Sequence, residues 1–189
     1  MAVTATDVAN QALMEMGGNQ PPVTGVAPTF DDSTAGKALQ RLYTPCVQFV
    51  GRQFGWDFAR AAVALVLSGN AAPFGWTYEY LYPTGGVQVW QITPATLADP
   101  FNPAPVNWVV GNAVVGSTQK KVIWSNVQAA SAYFNNAPTE DTWDAGFREA
   151  VVRLLASELA LAIGGNPQAS QVLLQGAGSI EQIAEGRDS

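Results

Sequence analysis

The sequence predicts an α+β protein, with a helical bundle made from the N- and C-terminal helices plus a central antiparallel β lobe. Near both ends, apolar residues recur at spacings of three and four, whereas the middle holds short apolar segments separated by Pro, Gly and Asn. Neither terminal set of helices can bury its apolar stripe alone, so the two sets should pack together. The predicted regions are N-terminal helices over 1–57, a β lobe over 58–139, C-terminal helices over 140–175 and a flexible C-terminal tail over 176–189.

Two helices are predicted in the N-terminal region. Thr4 and Asp7 have the spacing of a capping box for the first helix, and Gly17-Gly18 should end it. Asp31-Asp32-Ser33 offers an N-cap to the second helix, whose apolar stripe continues through Pro45. This continuity indicates one kinked helix rather than two separate segments.

The β lobe is predicted from short segments between turn residues. The candidate strands are 75–82, 87–93, 106–110, 121–125 and 130–134. Three of them carry one tryptophan each, namely Trp90, Trp108 and Trp124. Residues 58–68 fit either a helix or a short buried strand.

Alternating aromatic residues are the most distinctive feature of the β lobe. Strand periodicity places five rings on one face, and these are Phe74, Trp76, Tyr78, Tyr80 and Tyr82. Five rings are too much apolar surface to leave in water. We therefore expect that face to meet a core or another molecule.

The C-terminal region predicts a long and almost wholly apolar helix that begins at Asp141 or Thr142. Its polar strip consists of Glu149, Arg153 and Ser157. Gly164-Gly165 should end this helix, and Asn166-Pro167 should start another. The tail over 176–189 contains three glycines, each of which costs about 1 kcal/mol in a helix relative to alanine, so we expect it to be mobile. They are Gly176, Gly178 and Gly186.

Charge is scarce in this chain. Charged residues make up 13% of the 189 residues, about half the usual fraction of ~25%. Between Ala61 and Gln119 there is no Lys or Arg, and the only acids are Glu79 and Asp99. The net charge is −6 and the longest basic run is Lys120-Lys121, which argues against tight binding of nucleic acid.

Residues suited to catalysis or metal binding are also scarce, so we expect no enzyme activity, no cofactor and no metal. The chain has no histidine, and its single cysteine, Cys46, falls on an apolar stripe. Two acidic groups, Asp31-Asp32 and Glu140-Asp141-Asp144, sit at predicted helix starts, where capping explains them. The longest apolar run, Ala61 to Leu67, is too short to span a membrane, and the N-terminus does not read as a secretory signal.

Three short motifs, in this order, resemble those of the head-to-tail adaptors of short-tailed bacteriophages, the tail tubular protein A type. They are Trp56-Asp57-Phe58-Ala59-x-Ala61, Gly75-Trp76-x-Tyr78-x-Tyr80-x-x-Pro83 and Trp143-Asp144-x-x-Phe147. The resemblance covers roughly residues 5 to 165 and favours a strand over 58–68. It implies that the motif aromatics are structural anchors, namely Trp56, Phe58, Trp76, Tyr78, Tyr80, Trp143 and Phe147.

The resemblance also implies a function. Proteins of this family form a ring, commonly of twelve subunits, at the head–tail junction of the virion. The ring bridges the portal protein to the tail nozzle, and double-stranded DNA passes through it. We accordingly expect a homo-oligomer, made in the host cytoplasm, that contacts the portal near its C-terminus. The expected portal contacts are Ile180, Glu181, Ile183, Glu185 and Arg187.

The alternative interpretation is a carbohydrate-binding or glycan-hydrolysing tail component. The aromatic face would stack on sugar rings, and Glu79 with Asp99 would supply the carboxylates.

Overall fold

The computed structural model describes residues 3–17, 20–53, 56–94, 106–136 and 139–185, and of 177–185 it describes the backbone only. The chain divides into two compact units. Met1–Ala59 with Pro138–Ser189 form a helical unit, and Arg60–Ala137 form a β unit. Helices together with antiparallel sheets confirm the predicted α+β class. The β unit is two residues shorter at each end than the predicted 58–139.

The first helix, α1, begins and ends at its predicted signals. It spans Ala5–Glu15. The Asp7 N–H donates to the Thr4 hydroxyl oxygen at 3.2 Å, and the Asp7 carboxylate accepts from the Thr4 N–H at 2.9 Å. This confirms the capping box. Gly17 follows the helix with φ of 75°, a conformation that glycine adopts without steric cost.

The second helix, α2, is continuous through its proline. It spans Thr34–Gln53 with Pro45 inside. The Gly36 N–H donates to the Ser33 hydroxyl oxygen at 3.0 Å, so Ser33 supplies the cap predicted for this segment. Before α2, strands β1 (Gly25–Val26) and β2 (Thr29–Phe30) form a small antiparallel hairpin.

The third helix, α3, begins later than predicted. It spans Ala145–Ala162, and the Asp144 carboxylate caps it by accepting from the Phe147 N–H at 2.8 Å. The expected start at Asp141 or Thr142 is therefore wrong. The reason is that Glu140–Thr142 form a separate 3₁₀ turn, followed by an extended residue.

The fourth helix, α4, corrects the predicted tail. It spans Pro167–Glu185, so the chain does not leave helical structure at Gly176. Arg153 of α3 explains why residue 176 is a glycine. A Cβ atom at residue 176 would lie 2.9 Å from the Nη1 atom of Arg153. The same nitrogen donates to the Gly176 carbonyl at 3.4 Å. Gly176 therefore allows close packing of α4 on α3, which helps to offset the low helix propensity of glycine.

Helix α3 forms the centre of the helical unit and contacts the other three helices. Its buried residues are Phe147, Ala150, Val151, Val152, Leu154, Leu155, Ala156, Ser157, Leu159 and Ala160. Burying a Leu or Val side chain contributes about 1.5–3 kcal/mol, so this helix supplies much of the core. The buried faces of α1 and α2 join the same core, as the sequence predicts.

Two three-stranded antiparallel sheets make up the β unit. The strands are β3 (Arg60–Ala64), β4 (Tyr78–Leu81), β5 (Gly86–Pro94), β6 (Trp108–Val115), β7 (Thr118–Ser125) and β8 (Ala130–Asn136). One sheet has the order β3-β8-β5 and the other β4-β7-β6. Side chains from both sheets form one core, namely Tyr80, Val89, Ile92, Ile123, Ala130, Ala132 and Phe134.

The strand positions largely follow the predicted ones, and the differences have local causes. Within 58–68, only Arg60–Ala64 forms a strand of the first sheet. The chain then crosses to the second sheet, where Leu81 N–H donates to Val66 O at 2.8 Å and Ser68 N–H donates to Glu79 O at 2.9 Å. The predicted strand 75–82 shortens to β4 because a turn precedes it.

Candidate functional site

The first and third aromatic motifs meet in the helical unit. Trp56 is 4% exposed, and its indole N–H donates to the Val50 carbonyl at 3.0 Å. The ring of Phe147 lies at the centre, with ring-centroid distances of 5.1 Å to Trp56, 5.1 Å to Phe58 and 4.9 Å to Trp143. All three pairs meet edge to face, an arrangement worth about 0.5–1.5 kcal/mol beyond burial. These contacts give the four residues a structural role.

The second aromatic motif lies in the β unit. Tyr80 is 1% exposed, and its hydroxyl donates to the Val127 carbonyl at 2.6 Å. Its ring centroid is 6.1 Å from that of Tyr78, which packs against the same core. Trp76 is half-buried, and its backbone N–H donates to the Pro73 carbonyl at 3.1 Å in a turn.

The expected row of five rings on one strand face is wrong at its beginning. Gly75 has φ of 92° in that turn, and the strand starts only at Tyr78. Phe74 consequently points into solvent, with a relative exposure of 106%. Strand alternation cannot reveal this, because a glycine at positive φ reverses the chain while the alternating pattern of residue types continues.

Glu79 is the most enclosed carboxylate among the described residues of the β unit. It is 3% exposed. One oxygen accepts from the Ser68 hydroxyl at 2.7 Å and from the Asn70 amide at 2.9 Å, and the other accepts from the Trp124 indole N–H at 2.8 Å. The Asn70 amide also donates to the Val114 carbonyl at 2.9 Å. Glu79 therefore ties the 66–70 segment to the sheet.

These contacts favour the charged form of Glu79. Burial raises the pKa of its carboxyl. Hydrogen bonds from Trp124, Ser68 and Asn70 together lower this pKa by a larger amount, so the net shift is downward. A carboxylate with these three donors suits a structural role better than proton transfer to a substrate. Asp99, the second acid of the alternative interpretation, lies outside the described residues. Ser68 and Asn70 were not predicted as contacts of Glu79, because neither residue belongs to a sequence motif.

Asp31 organises the loop before α2. Its carboxylate accepts from the Thr24 N–H at 2.7 Å, from the Ser33 N–H at 3.1 Å and from the Ser33 hydroxyl. The Ser33 hydroxyl is the largest cause that lowers the pKa of Asp31 to about 2, and the two backbone N–H groups add to it. Asp32 beside it is exposed. The pair is thus divided between a loop contact and solvent rather than sharing one site.

The second acidic group is likewise divided. Glu140 accepts from the buried Tyr43 hydroxyl at 2.9 Å, and Asp141 accepts from the Thr139 hydroxyl. Burial, followed by the Glu140 charge, raises the pKa of Tyr43. Asp144 caps α3 as described above. Each acid therefore has a local structural contact.

Cys46 is buried beside an apolar groove of the helical unit. Burial, with a smaller effect from Glu158, raises the pKa of its thiol to about 12. The thiol therefore stays protonated near neutral pH, whereas a cysteine nucleophile reacts as the thiolate. The groove has a volume of about 330 Å³ and is lined by Leu42, Pro45, Cys46, Phe49, Leu154, Glu158 and Leu174.

The surface of the β unit is almost free of charge over a long stretch. Among the described residues from 61 to 119, Glu79 is the only charged one, and it is buried. The large apolar side chains exposed there are Val63, Val66, Leu67, Phe74, Trp90, Val109 and Val114. We call these seven residues, which are spread over both sheets and the segments between strands, the uncharged surface. Exposed apolar side chains are typical of interaction surfaces where they adjoin one another.

Two cations that flank this stretch rest on aromatic rings. The Lys121 ammonium lies 3.8 Å from the centroid of the Tyr82 ring, and the Arg60 guanidinium lies 5.5 Å from that of Trp90. Trp90 also lies 5.7 Å from Tyr133. Contacts of this kind partly shield the positive charge.

The predicted portal contacts fall at the end of the chain. Ile180, Glu181, Ile183 and Glu185 belong to the last turns of α4, and Arg187 lies outside the described residues. The four described positions are therefore helical, whereas a flexible tail was predicted.

Searches for known chemistry and known relatives add no assignment. In the described part of the chain, no three His, Cys, Asp or Glu side chains are grouped so that they could hold a metal ion. None of the helices described is long and apolar enough to cross a membrane. No family model matches the sequence, and no curated protein matches it significantly.

Proposed function

We propose that this chain is a head-to-tail adaptor of a short-tailed bacteriophage. In this role it forms a homo-oligomeric ring between the portal protein and the tail nozzle, and double-stranded DNA passes through the ring. The observation that carries the proposal is the uncharged surface. It fits a subunit whose β unit is covered by neighbours, and the motif resemblance names the assembly in which such a subunit occurs.

Exposing the apolar side chains of the uncharged surface to water is unfavourable in free energy. Apolar area gains about 25 cal/mol for each Å² removed from water, and exposed side chains such as Phe74 and Val66 retain that potential. A monomer with this many exposed apolar side chains would also be prone to associate. Ordered assembly turns this tendency into a defined interface.

The proposed mechanism is assembly without catalysis. Apart from the exposed Asp32, the acids at both predicted clusters have capping or loop contacts, and the Glu79 carboxylate has three donors. A net charge of −6 suits a channel wall past which DNA moves without sticking. The protein would then act at the head–tail junction of the virion, after synthesis in the host cytoplasm.

The end of α4 completes the proposal as the portal contact. A helical end presents Ile180 and Ile183, three residues apart, on neighbouring positions of one helix face. Replacing both with Asp should abolish portal binding. The melting temperature of the variant is measured beside portal binding, so that a loss of folding is distinguished from a loss of the contact.

The test is direct imaging of assembly. The purified protein is examined by sedimentation velocity and negative-stain electron microscopy, alone and with the portal ring of the same phage. Rings, or a stoichiometric complex with the portal, are expected. A monodisperse monomer that ignores the portal but binds glycans on an array would overturn the proposal in favour of the carbohydrate-binding alternative.

A further inference from the structure

Among the residues that the structure describes, each sheet of the β unit has one protected edge and one open edge. The β4 edge is covered, because the 66–68 segment forms backbone hydrogen bonds with it. The β5 edge is irregular, since its register with β8 shifts twice and the strand ends at Pro94. Bulges and prolines are ways in which edge strands avoid pairing with other chains. The remaining edges, β6 and β3, lack these features.

Strand β6 is the longer open edge. Its eight residues, Trp108–Val115, contain no charge and no proline, and they pair with β7 without a register shift. The two-residue turn at Gly116-Ser117 makes Val115 and Thr118 a hydrogen-bonded pair. Alternation then directs the backbone groups of Trp108, Val110, Asn112 and Val114 away from β7. The Val114 carbonyl accepts from Asn70 instead, as this pattern requires.

No backbone of the described residues bonds Val110 or Asn112 on the outer side of β6. Two neighbouring outward residues of a strand present a donor and an acceptor each, in the spacing that another strand matches. An extended strand is therefore the partner whose chemistry fits this edge.

Strand β3 offers a matching edge. Leu65 N–H donates to Ala130 O at 2.8 Å, so alternation directs the backbone of Ala62 and Ala64 away from β8. Apart from Arg60, the strand consists of Ala and Val, and Ala62 to Ala64 are exposed.

The two open edges belong to different sheets of the β unit and are different surfaces of the chain. The chain passes from β3 to the cover of β4 within two residues, so β3 lies next to that cover. Strand β6 is separated from β4 by β7. A contact between β6 of one copy and β3 of the next is therefore head to tail, the kind of contact from which closed rings are built.

We infer that β6 of one subunit pairs with β3 of the neighbouring subunit, so that the sheets continue from copy to copy. The inference rests on the proposed function for the ring, and it adds the surface through which subunits join. In the sequence of 95–105, Pro100, Pro103 and Pro105 lack the N–H that a ladder needs.

The experiment removes one outward N–H from each edge. Asn112→Pro and Ala62→Pro each delete a donor that bonds no strand within the subunit, while Asn112→Ala and Ala62→Ser keep the donor as matched controls. We expect both proline variants to lose ring-sized species in sedimentation velocity and both controls to retain them. Circular dichroism and melting establish that each variant is folded. If the proline variants are unfolded, Asn112→Lys and Ala62→Lys replace them, with the same expectations.

Mixing the two edge variants makes the test specific for β6 with β3. Each variant keeps one intact edge, so the mixture should form heterodimers that do not grow into rings. Dimers in the Ala62→Pro variant alone would show that β6 pairs with itself and would overturn the inference. So would protection of the Val110 and Asn112 amides from hydrogen exchange in a monomeric variant, because the edge would then be covered within the subunit.

The outcomes separate the inference from the proposed function. Rings that survive all edge variants overturn the strand pairing but leave the adaptor in place. Edge-dependent oligomers that never bind a portal support the pairing and count against the adaptor.

Discussion

At the scale of single residues, Glu79 carries the clearest prediction. In Glu79→Gln, the shape is kept, but an amide N–H₂ group replaces an oxygen that accepts from Ser68 and Asn70 or from Trp124. At least one buried donor then loses its acceptor, which typically costs about 1–3 kcal/mol. Urea unfolding at neutral pH measures the loss. The control is Glu149→Gln, which removes a partly exposed ion pair with Arg153 and should cost about 0–1 kcal/mol.

The same residue gives a pH dependence with a defined sign. The folded-state pKa of Glu79 lies below its ordinary value of 4.5. Its contribution to stability is therefore complete above that value and is lost as the pH falls through the folded pKa. The difference in unfolding free energy between the wild type and Glu79→Gln should shrink below about pH 4.5. A difference that grows on acidification would contradict this assignment.

The two tryptophans of the motifs should differ in their energetic weight. Trp56 is buried and hydrogen-bonded to Val50, whereas Trp76 is half-buried beside a turn. We expect Trp56→Ala to lower the unfolding free energy by about 3–5 kcal/mol, as for a large core truncation. Trp76→Ala should cost clearly less. Equal losses of unfolding free energy in urea would show that Trp76 contributes as much to stability as Trp56.

Residue-level roles are predictable from sequence where the contact is local. Thr4 with Asp7, Ser33 with Gly36, and Glu149 with Arg153 are three or four positions apart, so helix geometry alone brings them together. The donors to Glu79 come from separate segments, nine to 45 positions away. Only the register between β4 and β7, together with the return of the 66–70 segment, makes them neighbours.

At the scale of elements, two glycines near the α3–α4 pair should respond in opposite ways to alanine. In Gly176→Ala, the new methyl group meets the flexible end of the Arg153 side chain, which can move. The gain in helix propensity, about 1 kcal/mol, should offset the weakening of the part-buried hydrogen bond from Arg153 to the carbonyl of residue 176. In Gly164→Ala, the methyl group meets the Ala160 carbonyl oxygen at 2.9 Å, and a helix backbone cannot yield.

We therefore expect Gly176→Ala to be neutral or stabilising and Gly164→Ala to be destabilising, as measured by urea midpoints with unchanged slopes. Destabilisation by both variants would mean that the contact of Gly176 with Arg153 is worth more than helix propensity.

Element types were more predictable than element boundaries in this chain. The continuity of α2 through Pro45 and the capping box of α1 follow from periodicity and short motifs, and they are confirmed, although Phe49 of the α2 stripe is exposed. The late start of α3 could not be predicted from the sequence, because it depends on the extended backbone of Trp143. The turn at Gly75 could not be predicted either, because it depends on the positive φ that this glycine adopts. The continuation of α4 through Gly176 depends on Arg153 of another helix.

At the scale of the whole molecule, charge decides what the protein does with DNA. The net charge is −6, and the longest basic run is Lys120-Lys121, of which Lys121 rests on the Tyr82 ring. Each phosphate that a protein neutralises steepens the dependence of log K on log salt by about 0.9. Two lysines could support a slope of only about −2, far from that of a tight binder.

We therefore expect no binding of double-stranded DNA at low micromolar protein and moderate salt, measured by fluorescence anisotropy. The matched variant, with Lys120 and Lys121 both changed to Glu, should give the same result, because there is little binding to lose. The reason matters for the proposed conduit: DNA must move through the ring, and every phosphate contact on its wall would slow it. Submicromolar affinity with a steep salt slope that disappears in the double variant would contradict this. It would make the lysine pair a binding site and the protein a DNA-holding rather than a DNA-passing component.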